Sequence, residues 1–139
     1  MADIEIAKER LSKRGFSLVI TKNGSVIFET QQSGVNGFIL AIEKLGRRDL
    51  SGTSIADHVV GRAAALLCVY CHVKAVYALV LSEGGKRVLQ DNGVFFEFGE
   101  LVPSILNRQK TGTCPFEKMV SSILNADEAY ERLKSCLQK

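Results

Sequence analysis

The sequence predicts a three-layer α/β/α sandwich built on a mixed sheet, and three observations carry that prediction. Two β-rich runs flank Asn23-Gly24, the dipeptide best suited to the positive φ angles of a tight hairpin turn. A nearly continuous apolar run, KAVYALVL at 74–81, has the character of a strand buried on both faces. Around these runs, apolar residues recur at helical spacing in stretches long enough to cover a sheet.

The elements follow in order. From Asp3 to Arg14, Ile4, Ala7 and Leu11 repeat at helical spacing, which predicts a first helix with a basic outer face. FSLVITKNGSVIFET, 16–30, is the antiparallel hairpin. Val35, Phe38, Ile39, Ile42 and Leu45 form the next helical stripe, stopped by Gly46 as a left-handed cap. RRDLSGTS is then a loop, and ADHVVGRAAALLCVYC, 56–71, reads as the central helix, with Val60, Ala63, Ala64, Leu67 and Cys71 on one face. After the buried strand, Ser82 caps a helix that runs to about Asp91 and ends at Gly93, and VFFEF, 94–98, is another strand. Pro115 in a first turn costs no hydrogen bond, so a helix starts there with Cys114 at or beside its N-cap. Asn125 and Glu128 form a capping pair for the last helix. The expected organisation is one domain over 1–139: N-terminal helix at about 3–14, core at about 16–124 and C-terminal helix at about 126–138.

Composition narrows the function classes. At 139 residues, 46% hydrophobic and 24% charged, the chain is long enough for one core and close to the average soluble protein. No apolar run approaches the roughly 20 residues that span a bilayer, and the start lacks the features of an export signal, so neither a membrane partner nor secretion is expected and the cytosol is the expected location. The net charge is +3, with basic pairs Lys13-Arg14, Arg47-Arg48 and Lys86-Arg87 dispersed along the chain. That pattern does not predict a nucleic-acid partner. In the cytosol Cys68, Cys71, Cys114 and Cys136 are reduced thiols. CVYCH, 68–72, sits at the end of an apolar helical stretch, so its cysteines read as buried core residues, not as a haem or redox motif.

In open α/β sheets ligands bind beyond the carboxyl ends of parallel strands, where helix N-termini converge. That rule selects the neighbourhoods of 54–58, 82–85 and 111–115. Asp57 is read as a helix cap or as an acceptor for a ligand's polar hydrogens, and Ser82 as a cap or an anion donor. Thr111, Gly112 and Thr113 offer hydroxyl and backbone donors in a short loop, and Asn107 and Arg108 follow an apolar run in a manner that aims an amide and a guanidinium into a cleft. Cys114 at a helix start, with Arg108 and Lys110 nearby in sequence, is the candidate nucleophile or redox thiol, with His58 as its base. Glu117, three residues on, reads as the reciprocal cap of the same helix, or as a partner for Arg108.

The element order resembles the core of the cytidine-deaminase-like fold. In working deaminases the first core helix opens with a His or Cys ligand and a Glu two residues later, and the next opens with Pro-Cys-x-x-Cys. Aligned at DHVVG and SEGGKRVL, His58 takes the first ligand position, Val60 the position of the Glu, and no thiol follows. The zinc signature is missing, so no metal site is expected and the sequence argues against zinc-dependent deaminase activity. Over about 16–137 the chain also resembles an uncharacterised, mostly bacterial and archaeal family (a domain of unknown function) that has this fold without the zinc signature. The likeness rests on SIADHVVGRAAALL, VYALVLSE, LVPSILNR and GTCPFE. It implies the fold and a pocket, and no established reaction, substrate or cofactor; in that family's pattern a Lys commonly stands at the place of His58. The expected function is a non-zinc domain that binds a small, nucleotide-like or anionic ligand at the sheet edge. The alternatives are a cysteine-dependent enzyme or redox protein using Cys114, and a structural or homo-oligomeric module.

Overall fold

A computed structural model describes residues 2–32, 35–106, 112 and 114–137. The elements are α1 (Asp3–Arg14), β1 (Leu18–Lys22), β2 (Ser25–Thr30), α2 (Val35–Leu50), β3 (Ser54–Val60), α3 (Arg62–Tyr70), β4 (Ala75–Ser82), α4 (Glu83–Asp91), β5 (Phe95–Val102), α5 (Pro115–Met119) and α6 (Ala126–Leu137). One mixed sheet has the order β2-β1-β3-β4-β5. Strand β1 is antiparallel to β2 and β3, whereas β3, β4 and β5 run parallel. This is the expected α/β architecture with a mixed sheet.

The hairpin turn forms at Asn23 (φ 52°) and Gly24 (φ 82°) as the dipeptide demands. Its two backbone N–H groups donate to the Asp3 carboxylate at 3.0 and 2.7 Å, which ties the start of α1 to the hairpin. Among the described helices α1 alone packs on one sheet face, where Ala7 and Leu11 meet Val19, Ala56 and Tyr77. The other helices share the opposite face and the main core. There Tyr70 of α3 stacks on Tyr130 of α6 with ring centroids 4.4 Å apart, and the Arg47 guanidinium lies 4.1 Å from the Tyr70 centroid. No described helix is long and apolar enough to cross a membrane.

Three expectations are corrected. The segment 54–60 is not loop and helix start but the strand β3, held between β1 and β4, and the central helix begins only after Gly61. SIADHVV presents apolar residues to both faces of a central strand, and Ala56 and Val60 fall at helical spacing with Ala63, Ala64 and Leu67 of the helix behind it, so the junction at Gly61 is not marked by a change of period. Gly46 (φ 80°) does interrupt the helical conformation, but a further turn with Arg47 and Arg48 follows at once in α2. Strand β5 extends to Val102, well past the expected Phe98.

Candidate functional site

The parallel strands β3 and β4 each lead directly into a helix. Gly61 is the N-cap of α3 and Ser82 the N-cap of α4. The Ser82 hydroxyl, buried, accepts the Gly85 N–H at 2.9 Å, the ordinary capping bond of a serine at this position. The two starts touch: a Cβ on Gly85 would stand 3.0 Å from the Gly61 carbonyl carbon and oxygen and from the Val60 oxygen. A side chain at 85 would therefore press on backbone, and glycine permits the approach.

Gly61 has no side chain with which to cap its helix, and Glu117 of α5 supplies the cap from 55 residues away. Its Oε1 accepts the Arg62 N–H at 2.7 Å and its Oε2 the Ala63 N–H at 2.8 Å. Two of the unpaired donors of the first turn are thus satisfied by one carboxylate in the favourable field of the helix dipole. The link is reciprocal, because Arg62 Nε donates to the Val120 carbonyl at 2.9 Å and Arg62 Nη2 to the Ile123 carbonyl. A small cavity of about 60 Å³ adjoins this clasp, lined by Val35, Val59, Gly61, Ala64, Ile105, Cys114, Phe116 and Glu117. It is an apolar space with one carboxylate at its wall.

The other sequence-selected residues divide around the sheet. Cys114 is the N-cap of α5, half-buried on this cavity, with its N–H donating to the Ile105 carbonyl at 2.9 Å and no capping bond from its thiol. Asp57 does not precede a helix. It lies in mid-strand with 3% of its surface exposed, and its Oδ1 accepts the Val59 N–H at a long 3.4 Å. Burial pushes its carboxyl up to about 8, against the lowering effect of the Val59 and His58 N–H groups. His58, next along β3, projects to the opposite face and lines a separate cavity of about 300 Å³ beneath α1 with Lys8, Tyr77 and Leu79. Cys114 and His58 are therefore not brought together. Gly112 is half-buried at a bend; Asn107, Arg108, Thr111 and Thr113 lie outside the described residues.

Family and fold comparisons are consistent with this arrangement. Residues 6–137 match the family described as TM1506, domain of unknown function (DUF1893). The chain belongs to this family. The DUF1893 chain is similar in fold to the crystal structure of a DUF1893 family protein (TM1506) from Thermotoga maritima, at a TM-score of 0.85 and 24% identity over 96% of this chain and 88% of that one. It is also similar to two forms of RibD from Acinetobacter baumannii, with TM-scores of 0.50 and 0.52 and identities of 21% and 20%. The matches cover 69% and 70% of the DUF1893 chain, and 34% of the RibD chain in each case, about a third of its length. These likenesses support a deaminase-like fold. No curated protein is significantly similar to the chain.

A deaminase-like fold raises the question of zinc, and the position of α3 corrects the alignment at His58 and Val60. The helix opens at Gly61, so the ligand-bearing turns of a zinc deaminase correspond here to Gly61–Ala63 and to the first turn of α4 from Ser82 to Arg87. Neither holds an imidazole or a thiol, and their one carboxylate is Glu83. A Cβ at Gly61 would also overlap Glu117 Oε1, so a ligand side chain there and the Glu117 clasp are mutually exclusive. These residues do not fit the metal. Among the described residues no group of three or more His, Cys, Asp or Glu is placed to hold one elsewhere.

Sequence reasoning named Glu117 but assigned it to its own helix. No local spacing points from CPFE to a helix start 55 residues earlier; the one usable signal is a helix whose N-cap is glycine and whose first turn lacks an acid. The thiols make a direct check on the packing. Burial holds the Cys68 thiol well above its ordinary value, with Cys71 and Asp57 adding to the effect, and pushes Cys71 up to about 12 despite Arg47. Iodoacetamide on the native protein is expected to modify Cys114 and Cys136 and to spare Cys68 and Cys71 until denaturant is added. Native labelling of all four, read by peptide mass, would show that the α3 core opens.

Proposed function

We propose that this chain is a non-zinc, ligand-binding domain of deaminase-like fold that takes a small anionic or nucleotide-like molecule at the sheet edge where β3 and β4 end. The observation that supports it is the meeting of the α3 and α4 starts beyond the carboxyl ends of β3 and β4, where open α/β sheets take ligands; the Arg62 and Ala63 N–H groups are held by Glu117, so an anion would have to displace that carboxylate or use other donors. The adjoining cavity of about 60 Å³ accepts a group the size of roughly two waters, so the body of a larger ligand lies outside it. The same reading places the protein in the cytosol and assigns it no nucleic-acid partner. A reaction through Cys114 has less support, because His58, the base proposed for it, lines the other cavity.

Native and denatured masses of the freshly purified protein, with melting curves in inorganic phosphate, nucleotides and phosphorylated sugars, test the proposal. A small-molecule mass lost on denaturation, or a rise in melting temperature with one of these compounds, supports it. A bare chain whose melting temperature none of them moves overturns it, and a zinc mass overturns its non-zinc part.

A further inference from the structure

Strand β5 ends the sheet, and its outer edge has no partner strand among the described residues. An exposed edge of this kind is usually blunted by proline, lysine or a bulge. Here the strand reads FFEFGELV, eight residues without Pro, Lys or Arg, in unbroken parallel register with β4 from Ala75↔Phe95 to Ser82↔Val102. It is also poorly covered: residues 97 to 100 are exposed although consecutive side chains point to opposite faces. Of the six exposed large hydrophobic residues among those described, Leu79, Phe95 and Phe98 lie on this strand or beside it. The opposite edge, β2, is largely half-buried and carries the Arg10–Glu29 ion pair.

We infer that β5 is the site of self-association, pairing antiparallel with β5 of a second copy about a two-fold axis at Phe98. The charge pattern selects both the occupant and the register. Residues opposite one another across an antiparallel pair share a face, so the axis must pass through a residue. Centred on Glu97, the pairing sets that carboxylate against its own copy, and like charges directly opposite are destabilising. Centred on Gly99, it carries Phe95 past the end of the strand to Pro103. Centred on Phe98, it sets Phe98 against Phe98, Phe95 against Leu101, Glu97 against Gly99 and Phe96 against Glu100. No acid meets an acid, and both exposed phenylalanines gain apolar partners. Gly99 suits this edge because a Cβ there would meet the Leu79 carbonyl oxygen at 2.8 Å, so the place facing Glu97 of the second copy stays open. An eight-residue edge is about 27 Å long and buries less than the ~800 Å² per partner of standard interfaces, which fits a reversible dimer that dissociates in about the micromolar range.

Sedimentation velocity of the full chain over a wide concentration range tests this. The expected result is a monomer–dimer equilibrium that Phe98→Glu alone and Phe98→Lys alone each weaken at least tenfold (about 1.4 kcal/mol) and that an equimolar mixture of the two restores, since position 98 faces its own copy. Phe98 is 39% exposed, so both variants should stay folded, with melting temperatures within a few degrees of wild type when all are compared at concentrations low enough to be monomeric. A wild type that stays monomeric, a dimer indifferent to Phe98→Glu, or a mixture no stronger than either variant alone would each overturn the assignment.

Discussion

Glu117→Ala is expected to destabilise the protein by about 3 kcal/mol, and sodium acetate is expected to return part of that loss. The magnitude follows from two hydrogen bonds to a charged acceptor, each worth roughly 1.5–3 kcal/mol and set near the low end because Glu117 is half-buried and partly screened by water. Alanine leaves the Arg62 and Ala63 N–H groups facing Val35, Val59, Ile105 and Phe116, which offer no acceptor. It also frees one side of the clasp that holds α5 against α3, leaving the Arg62 contacts to Val120 and Ile123. Glu117→Gln keeps one carbonyl acceptor and should cost about half as much. Acetate presents the same two oxygens and fits the vacated space, so its stabilising effect should be larger in Glu117→Ala than in wild type. Urea unfolding with and without acetate, against sodium chloride at equal ionic strength, checks this. An unchanged unfolding midpoint in Glu117→Ala would mean that water serves those donors as well as the carboxylate does, and the argument for an anion site at α3 would lapse with it.

Most of the architecture was legible because it is written in short-range chemistry. Asn23-Gly24 specifies a turn that few other dipeptides can make, Ser82 caps the helix that follows it, and Pro115 opens α5. Residues 54–60 were misread for an identifiable reason. A central strand buried along most of its length shows no alternation, and its Ala56 and Val60 happen to fall in helical step with Ala63, Ala64, Leu67 and Cys71, so strand and helix merged into one helical pattern. That error moved Asp57 and His58 from a helix start to a strand, and with them the expected position of the zinc ligands. The site was only partly legible. Ser82 and Cys114 could be placed from their own neighbours, whereas the Glu117 clasp and the contact of Gly61 with Gly85 depend on which helix starts the sheet brings together. The separation of His58 from Cys114 turns on one residue of strand phase, which only the sheet register fixes.

Asp57 gives the second large effect, and its sign is unusual for a carboxylate. In the unfolded chain it ionises near its ordinary value of 3.8, whereas in the folded protein burial raises it to about 8. Between those values the native state holds a proton that the unfolded state has lost. The contribution of Asp57 is therefore fully present below about pH 4 and declines as pH rises through about 8, the opposite of a salt-bridged acid. At ~1.4 kcal/mol for each pH unit between the two values, the decline amounts to an upper bound of about 6 kcal/mol. Asp57→Asn preserves the shape and the oxygen that accepts the Val59 N–H but has no charge to desolvate. The variant should match wild type near pH 5 to within about 1–2 kcal/mol and exceed it by several kcal/mol at pH 9, with the difference opening steadily across the interval. Urea unfolding of both proteins at a series of pH values measures that difference while cancelling the titration of every group they share. Parallel curves would mean that Asp57 is ionised in the fold at neutral pH, and a charge buried beside Cys68 would then require a compensating cation that the described residues do not supply.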